Sequence, residues 1–343
     1  MTEDHHRPTV TVVMLAYGDE PLLTKAAEAV LESSGVDLGL VLVDNGCTSD
    51  AVTHLTEREG VRVLRPDENL GFAGGCNLGA REARSEFLSF VNSDAGVDPR
   101  ALAHLVAAAT ADDVGLVSGS VRLYERPEVI NSAGNPVHYA GLSWAGGLGQ
   151  PASLHGSSRD VASVSGAAMA MRRSRFEQLG GFNELFFAYL EDAELSLRAW
   201  QAGWRCRYVP EARVLHHYEF ARNPRKMFLL ERNRLVMLLT LYERKTLGVL
   251  APALLVFEAA ILAVALRQGW ARQKAAGWLW LLKHRAEVRS RRATVQASRL
   301  RSDAEMVSLL TGDFYPGEET GMAAPLLFRK LTAAYWSVAR RLL

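Results

Sequence analysis

The sequence predicts an α/β fold, in which a mostly parallel, doubly wound sheet is followed by a C-terminal helical region. Short apolar runs alternate with helical segments through the first 123 residues, an order typical of parallel sheets with helices on both faces. Long helical segments dominate after residue 223. A chain of 343 residues also exceeds the usual size of one hydrophobic core, so two regions are expected. We place the division between residues 1–224 and 225–343.

The N-terminal region divides into strands and helices in a regular order. We predict strands at residues 9–17, 38–43, 61–65, 87–91 and 114–123. The helices between them are predicted at residues 21–34, 51–59 and 99–110. Turn residues bound these runs and separate one element from the next. Ligands of such sheets bind at the carboxyl ends of the strands, so polar residues at those ends are the candidate site.

The pattern becomes less regular after the fifth predicted strand. Residues 124–165 are rich in Gly, Ser, Asn and Trp, and we predict a loop-rich insertion over the site. Short helices are predicted at residues 172–180 and 192–202, and a late strand at residues 205–217. The helical region begins after this strand.

An apolar stretch at residues 246–266 meets the ~20-residue criterion for crossing a bilayer. Pro252 and Glu258 interrupt it, which argues against simple spanning. We therefore expect helices that lie in the membrane interface, ahead of burial against the N-terminal region and of spanning. A helical surface for homodimer formation is an open alternative.

Charge is distributed unevenly, although the net charge is only +1. Residues 267–301 contain ten Lys and Arg residues and a single acid, Glu287. Such a basic stretch on an acidic body predicts contact with anionic lipid rather than nucleic acid. The three cysteines, Cys47, Cys76 and Cys206, have no metal-ligand spacing, and their odd number fits a reducing compartment. The polar N-terminus lacks a signal-peptide core, so a cytoplasmic location is expected.

The motif VDNGCTSD follows the second predicted strand and begins with Val43 and Asp44. A carboxylate at a strand end can accept the imide N–H of uracil or thymine. The alternative is that Asp44 caps the turn made by Asn45 and Gly46, which is the commoner use of such a residue. Both interpretations stay open on this motif alone.

The segment NLGFAGGCNLGA, residues 69–80, is a glycine-rich loop that becomes a helix. Its free N–H groups could hold a diphosphate at the start of the helix. The G-x-x-G-G spacing and the position after the third strand differ from a dinucleotide fingerprint, which disfavours a dehydrogenase. A plain turn from loop to helix is the open alternative.

The motif VNSDAG ends the fourth predicted strand with Asn92 and Asp94. Asp94 could bind a divalent metal that also holds a nucleotide diphosphate. The alternative is a cap for the next helix, but Asp98 is better placed for that role. Further along, His216 or His217 could complete a metal site, although a histidine pair after a strand is more often incidental.

Paired acids, Glu191 and Asp192, stand at a predicted helix start within GGFNELFFAYLEDAELSLRAWQAGWR. The helix dipole stabilises a carboxylate there. A base that deprotonates a hydroxyl needs such a positioned, accessible group. Acids are also common at helix starts without any function, so both interpretations stay open here.

In this order, over residues 10–234, these segments resemble the family 2 glycosyltransferases of the GT-A fold, and most closely the rhamnosyltransferase-like branch. The resemblance implies that Asp44 pairs with the pyrimidine base and that Asp192 is the catalytic base. It implies that Asp94 and His216 bind the metal ion. The residues implied to lie near the sugar nucleotide are Asn69, Gly71, Asn77 and Asn92. Glu191 is the alternative to Asp192 as the base, and His217 is the alternative to His216 as the metal ligand. The ERNRL segment matches a downstream signature of the branch, in which Arg232 has no secure role.

The resemblance implies inverting transfer of a sugar from dTDP-rhamnose or a UDP-sugar, with Mg²⁺ or Mn²⁺. The implied acceptor is a hydroxyl of a glycan or lipid-linked glycan in cell-envelope polysaccharide synthesis, at the inner face of the cell membrane. Two departures stand out. Asn92 replaces the first acid of the D-x-D metal motif, which leaves fewer protein charges for the metal, and Cys47 stands where a small hydroxyl residue is usual.

Two other function classes are alternatives. A nucleotidyltransferase needs a basic, glycine-rich loop after the first strand, and AYGDEP lacks both features. A non-catalytic, membrane-associated scaffold on a transferase fold is supported only by Asn92, whereas the intact LEDAELSLR segment speaks against it.

Overall fold

The computed structural model describes residues 7–217, 223–315 and 324–343. The strands are β1 Thr9–Gly18, β2 Asp37–Cys47, β3 Val61–Leu64, β4 Phe87–Val91, β5 Ala95–Val97, β6 Val114–Leu123, β7 Arg126–Ser132, β8 Val137–His138, β9 Arg159–Asp160, β10 Ala168–Arg172, β11 Arg205–His216 and β12 Leu310–Thr311. The helices are α1 Leu23–Leu31, α2 Ala51–Thr56, α3 Gly71–Arg81, α4 Ala101–Ala109, α5 Arg173–Leu179, α6 Glu191–Gln201, α7 Pro224–Leu241, α8 Arg244–Gln268, α9 Ala271–Lys283, α10 Arg285–Ser298, α11 Asp303–Met306 and α12 Leu326–Ala339. Short 3₁₀ turns lie at Ala152–His155, Glu184–Phe186 and Val307–Leu309.

A mixed sheet forms the centre of the molecule, in the order β3-β2-β1-β4-β10-β6-β11-β5, with β7 beside β6 and β9 beside β11. Strands β1 to β4 are parallel, and β11 is parallel to β6. Strand β10 runs antiparallel between β4 and β6, so these two point the same way. The predicted mostly parallel α/β sheet is confirmed, with β10 as an antiparallel insertion.

Two hydrophobic cores cover the two faces of this sheet, because alternate side chains of each strand point to opposite faces. On β1, Val12 and Met14 face the core that contains α1, α2 and α4, and Val13 faces the other core. This second core contains α3, α5 and α6 together with residues of the C-terminal helices, among them Val236 and Trp336. The C-terminal helices and the sheet therefore share one core.

Helix α3 lies very close to β1 because its glycines leave room for the strand. A Cβ atom at Gly75 would overlap the Leu15 side chain, and one at Gly79 would overlap Val13. The glycine-rich composition of this segment thus has a packing reason.

The predicted insertion is more compact than its composition indicates. It contains β7, β8, a 3₁₀ turn and β9, and Ile130, Tyr139 and Val164 within it are fully buried. Strand β8 pairs with β12 near the C-terminus. The Tyr139 ring stacks on Trp336 with ring centroids 5.2 Å apart. The insertion is therefore anchored to the C-terminal helices.

Helix α7 begins at the predicted division of the chain. Its first residue is Pro224, and the Asn223 side chain caps it by accepting a hydrogen bond from the Lys226 N–H at 2.8 Å. Proline is favoured in the first helical turn, where its missing N–H costs nothing.

Candidate active site

The candidate residues gather at the carboxyl edge of the sheet. Asp44 lies near the end of β2, Asn92 follows β4, and His216 ends β11. Since β2, β4 and β11 run in the same direction, their carboxyl ends meet at one edge.

Asp94 and His216 form the centre of this edge. Asp94 Oδ1 lies 3.2 Å from His216 Nε2, and the Asn92 amide nitrogen lies 3.5 Å from the same ring atom. The other ring nitrogen, Nδ1, lies 3.0 Å from Asn131 Oδ1 on β7. When Nδ1 carries the proton, Nε2 offers its lone pair towards Asp94, as a metal-binding imidazole must.

His217 is turned away from this centre. Its backbone N–H donates to the Asp94 carbonyl oxygen at 3.1 Å, whereas its ring packs edge-on against Tyr124. Of the two predicted histidines, His216 is therefore the one whose ring faces Asp94.

The polar groups around Asp94 suit a divalent cation that is also bound by its substrate. Asn92 Oδ1 is buried and has no hydrogen-bond partner among the described residues. The pKa of Glu20 is raised mainly by burial and further by the negative charge of Asp94. No cluster of three or more His, Cys, Asp or Glu residues arranged for a metal exists in the described part of the chain. Asp94 and His216 would leave most coordination positions to diphosphate oxygens and water, a set that Mg²⁺ accepts.

Asp44 combines two environments. Its Oδ1 accepts hydrogen bonds from the N–H groups of Gly46 at 3.3 Å and Cys47 at 3.0 Å, the turn-capping arrangement. Its Oδ2 lies 3.6 Å from Arg65 Nε at the protein surface. The turn cap thus uses one oxygen, and pairing with a base would use the other.

Asn45, which the sequence analysis did not single out as a site residue, links the second strand to the glycine segment. Its Nδ2 donates to Asn69 Oδ1 at 2.8 Å and to the Gly71 carbonyl at 3.2 Å, and its Oδ1 accepts from the Leu70 N–H at 2.9 Å. Asn69 Oδ1 also accepts from the Gly71 N–H at 2.8 Å. The signal for Asn45 was its place inside the VDNG motif.

Gly71 makes a close contact with the segment before the paired acids. It has φ of +70°, and a Cβ atom there would overlap the Phe187 carbonyl oxygen. The Ala73 N–H donates to that same oxygen at 3.0 Å. The N–H groups of Gly71 and Ala73 are thus used within the protein, so the expected diphosphate cradle at this helix start lacks these two donors.

The side-chain amide of Asn77 makes hydrogen bonds within the protein and is not open to a ligand. Its Nδ2 donates to the Phe182 carbonyl at 3.0 Å and to Glu184 Oε1 at 2.9 Å, and its Oδ1 accepts from the Phe182 N–H at 2.8 Å. The amide is buried and its hydrogen bonds go to the loop that leads towards the acids.

Asp192 lies in the first turn of α6 and is partly buried. Its Oδ2 accepts a hydrogen bond from the Gly166 N–H at 2.9 Å. Burial raises the pKa of Asp192, and the bonds from Gly166 and Ala193 oppose that rise because they favour the charged form. Asp192 Oδ1 accepts from the Ala193 N–H at 2.7 Å, so backbone N–H groups position both oxygens of this carboxylate.

Glu191 has a different environment. It is buried, and its Oε2 has no hydrogen-bond partner among the described residues. Burial, with the charge of Asp192, raises the pKa of Glu191 to about 8. Burial thus raises the pKa of both adjacent acids, and backbone hydrogen bonds oppose the rise at Asp192.

Arg232 contacts the same loop from the C-terminal region. Its Nη2 donates to the Phe186 carbonyl at 2.6 Å, and its guanidinium lies over the Trp280 ring at 4.7 Å. Asn233, beside it, was missed by the sequence analysis and also binds this loop.

Two family profiles match the chain. The profile described as "Glycosyl transferase family 2" matches residues 11–180, and the one described as "N-terminal domain of galactosyltransferase" matches residues 152–221. Together they span the sheet and the paired acids.

Curated relatives point in the same direction. The N-acetylglucosaminyl-diphospho-decaprenol L-rhamnosyltransferase of Mycobacterium tuberculosis is 29% identical over 233 residues, which cover 60% of this chain and 75% of the relative. The O-antigen biosynthesis protein RfbC of Myxococcus xanthus is 29% identical over 228 residues, covering 63% of this chain and 18% of that protein.

Solved structures share the fold. GalNAc-T7 with UDP, GalNAc and Mn²⁺ superposes with a TM-score of 0.58 at 17% identity, over 73% of this chain and 51% of that one. The mannosyltransferase PcManGT from Pyrobaculum calidifontis, in complex with GDP-Man and Mn²⁺, superposes with a TM-score of 0.52 at 18% identity, over 98% of this chain and 87% of that one.

The sheet with its antiparallel β10 and these solved structures agree on one fold. The fold is GT-A, and the chain is a glycosyltransferase of glycan biosynthesis. It belongs to glycosyltransferase family 2, on the rhamnosyltransferase-like branch.

Proposed function

We propose that this protein transfers a rhamnosyl or another hexosyl residue, with inversion, from a nucleotide-diphosphate sugar to a hydroxyl of a lipid-linked glycan. The observation that carries this proposal is Asp192, a partly buried carboxylate held by the Gly166 N–H at the start of α6. A general base needs this combination of fixed orientation and access.

In the proposed reaction Asp192 takes the proton of the acceptor hydroxyl. A bond forms between that oxygen and the anomeric carbon while the bond from this carbon to the diphosphate oxygen breaks on the opposite face. The charge that builds on the sugar is oxocarbenium-like, as in glycoside hydrolysis. Glu191, protonated at neutral pH, adds no competing negative charge beside the base.

The donor is held, in this proposal, at the carboxyl edge of the sheet. Asp44 pairs with a pyrimidine base through the oxygen that faces Arg65. Asn69 and Gly71 shape the segment beside the sugar, and Asn77 braces it. In this proposal Asn92 lies beside Asp94 and His216 and would be close to the diphosphate of the donor.

Asp94 and His216 are the residues that would hold Mg²⁺ or Mn²⁺. The 3.2 Å between their side chains and the unpaired Asn92 oxygen support this assignment. A bound divalent cation neutralises charge on a departing diphosphate.

We infer that the acceptor is presented at a membrane. The acceptor named for the Mycobacterium tuberculosis relative is a diphospho-decaprenol, which is a lipid. Among the described residues, α8 is long and apolar enough to cross a membrane. Its apolar 18-residue stretch has a mean hydropathy of 2.5, and only 22% of that stretch is buried. Partly buried Glu258 near its middle favours a helix that lies in the interface at the cytoplasmic face.

The apolar surface of α8 continues onto α12. The Tyr335 hydroxyl donates to the Val249 carbonyl, and the Phe257 and Phe328 rings are 5.2 Å apart, so the two helices are neighbours. Both helices expose large apolar side chains: Leu255, Val256, Val264 and Leu266 on α8, and Leu326, Leu327, Leu331 and Val338 on α12. We call these eight residues the apolar surface, and we propose that it contacts anionic lipid together with the basic stretch of residues 267–301.

Transfer assays with the full chain test the proposal. The protein is incubated with dTDP-rhamnose and UDP-sugars, Mg²⁺ or Mn²⁺, and a lipid-diphosphate-linked N-acetylglucosamine acceptor, and products are identified by mass spectrometry. Asp192→Asn should lower kcat by ~10²- to 10⁴-fold, since a general base contributes about that much. Donor affinity, measured by calorimetry, should stay within about twofold.

The matched control is Asp37→Asn, an exposed acid at the start of β2 that should leave both quantities unchanged. NMR of the product should show inverted anomeric configuration. Retained turnover by Asp192→Asn would remove this residue from the base role, and donor binding without any turnover by the native chain would favour the scaffold alternative.

A further inference from the structure

The loop directly before the paired acids has an unfavourable backbone conformation. Phe187, Tyr189 and Leu190 have φ of +62°, +71° and +67°, and they are the only non-glycine residues with positive φ in the described ranges 7–217, 223–315 and 324–343. L-residues rarely adopt this region, so the surrounding structure must hold it. Such backbone strain concentrates at functional sites.

Hydrogen bonds from Asn233 on α7 stabilise this loop conformation. Its Nδ2 lies within hydrogen-bond distance of three loop carbonyls, those of Phe186 at 3.0 Å, Ala188 at 2.8 Å and Tyr189 at 2.7 Å, and its two hydrogens are shared among them. The side chain is completely buried. One amide group thus contacts three carbonyls of this unusual loop.

Arg232 fixes the orientation of that amide. Its Nε donates to Asn233 Oδ1 at 2.9 Å, which leaves Nδ2 to face the loop. Its Nη2 donates to the Phe186 carbonyl at 2.6 Å. The two residues therefore bind the loop as one unit, which explains a pair of polar residues inside the core.

The opposite side of the loop rests on the glycine segment. The Phe187 carbonyl accepts from the Ala73 N–H, and Gly71 leaves space for it. The loop is thus fixed between α3 and α7, and α6 begins where it ends. Both contacts therefore hold the chain directly before the first turn of α6, which carries Asp192.

Other residues of α7 also hold this helix in place. Leu229, Val236 and Met237 on the same helix are buried in the core. Glu231 binds Lys274 on α9 at 2.7 Å. The contacts of the Asn233 amide go to the loop and to Arg232.

We propose that Asn233, oriented by Arg232, is a positioning residue that holds the loop of residues 186–190 so that Asp192 faces the acceptor hydroxyl. This inference rests on the proposed role of Asp192 as the base. It makes the C-terminal helical region a part of the active site rather than only a membrane attachment.

The test compares Asn233→Ala and Asn233→Ser with the native full chain. Relaxation of the loop should lower kcat by about tenfold or more while KM for the donor stays within about twofold, because the donor site lies at the strand ends. The pH at half-maximal kcat should also move, since the surroundings of Asp192 change. The serine variant should fall between alanine and native, because it can bind one of the three carbonyls.

Asn223→Ala is the matched control, since it removes a polar cap from the same helix without touching the loop. Melting temperature and near-ultraviolet circular dichroism report whether each variant folds. Unchanged kcat and pH profile in folded Asn233 variants would overturn the proposal. So would failure of both variants to fold while the control folds, because Asn233 would then belong to the core.

The two proposals fail in distinguishable ways. If Asp192→Asn keeps its turnover, the base assignment is wrong whatever Asn233 does. If Asp192→Asn is inactive and the Asn233 variants have native kcat, only the positioning role is wrong.

Discussion

Glu191 and Asp192 are adjacent in sequence, yet their carboxyl groups lie in different surroundings. Asp192 accepts a backbone N–H on each oxygen, whereas Glu191 Oε2 has no hydrogen-bond partner among the described residues. An isolated carboxylate in a buried site is costly, and the group avoids that cost by keeping its proton. The consequence is a stability that depends on pH.

We predict that Glu191→Gln changes the pH dependence of unfolding. The pKa of Glu191 is about 8 in the folded protein against an ordinary 4.5, so the folded state holds a proton that the unfolded state releases between these values. Native stability should therefore fall as pH rises from about 4.5 to 8. The variant should lack this pH dependence. Its free energy of unfolding, relative to that of the native protein, should therefore be higher at pH 8 than at pH 4.5 by on the order of a few kcal/mol.

Urea unfolding at a series of pH values measures this difference. Glu59→Gln, an exposed acid, is the control and should follow the native curve. Parallel curves for native protein and Glu191→Gln would mean that Glu191 is ionised in the folded state.

A second prediction at this scale concerns Asp94. Asp94→Ala should make donor affinity insensitive to added Mg²⁺ or Mn²⁺, because Asp94 is the remaining acid of the metal motif and lies 3.2 Å from His216. Calorimetry with the donor, with and without metal, measures the change. Asp67→Ala, an exposed acid, serves as the control. If the donor affinity of Asp94→Ala depends on added metal as in the native protein, Asp94 has only a structural role in its turn.

At the scale of elements, a buried group of charges connects three C-terminal helices. Glu231 and Arg234 on α7, Glu258 on α8 and Lys274 on α9 form four ion pairs. Trp278 Nε1 also donates to Glu258 Oε2 at 2.9 Å. Two acids and two bases balance each other, which explains how a glutamate can lie within an apolar helix.

We predict that removing one member of this group is costly and that removing a balanced pair is less so. Lys274→Met should lower the free energy of unfolding by about 3 kcal/mol or more, because it leaves buried carboxylates under-compensated. The double variant Glu258→Leu with Lys274→Met should recover part of the loss, since the charge balance returns.

Chemical denaturation of the two single variants and the double variant gives the coupling energy. Lys283→Met, on the exposed side of α9, is the control and should change stability little. Additive losses in the double variant would show that the four charges do not act as a group.

At the scale of the whole molecule, the apolar surface of α8 and α12 is exposed in the described part of the chain. We predict that the native protein sediments with anionic phosphatidylglycerol vesicles at low salt. High salt should release part of it, because screening weakens the basic contacts but not apolar insertion.

Leu327→Asp with Leu331→Asp should weaken this sedimentation, because a charge at each site cannot enter the lipid. Leu154→Asp is the control, since Leu154 is exposed but lies on the 3₁₀ turn of the insertion rather than on the C-terminal helices. A native protein that stays in the supernatant would contradict the membrane role and favour a dimer surface, which analytical ultracentrifugation would then reveal. Deleting residues 225–343 is a poorer test, because those helices share a core with the sheet.

Much of the fold could be predicted from the sequence because its signals are local. Apolar runs, turn residues and the order of the segments determined the strands, the alternating helices and the start of α7. Parallel direction then implied that polar residues at or after the strand ends, namely Asp44, Asn69 and Asp94, would lie at one edge, since carboxyl ends of parallel strands share an edge. Strand β10 was not predicted, because a short apolar run has no local signal for antiparallel insertion.

What only the tertiary structure decided are contacts between residues far apart in the chain. Asn131 lies beside His216, Glu20 lies near Asp94, and Asn233 holds the loop before Asp192. Local periodicity carries no information on such pairs, because a polar side chain in an apolar segment looks alike whether its partner is water, a lipid headgroup or a distant carbonyl. Glu258 shows this most clearly: in sequence it interrupts an apolar helix, and in the folded chain two basic residues from other helices neutralise it.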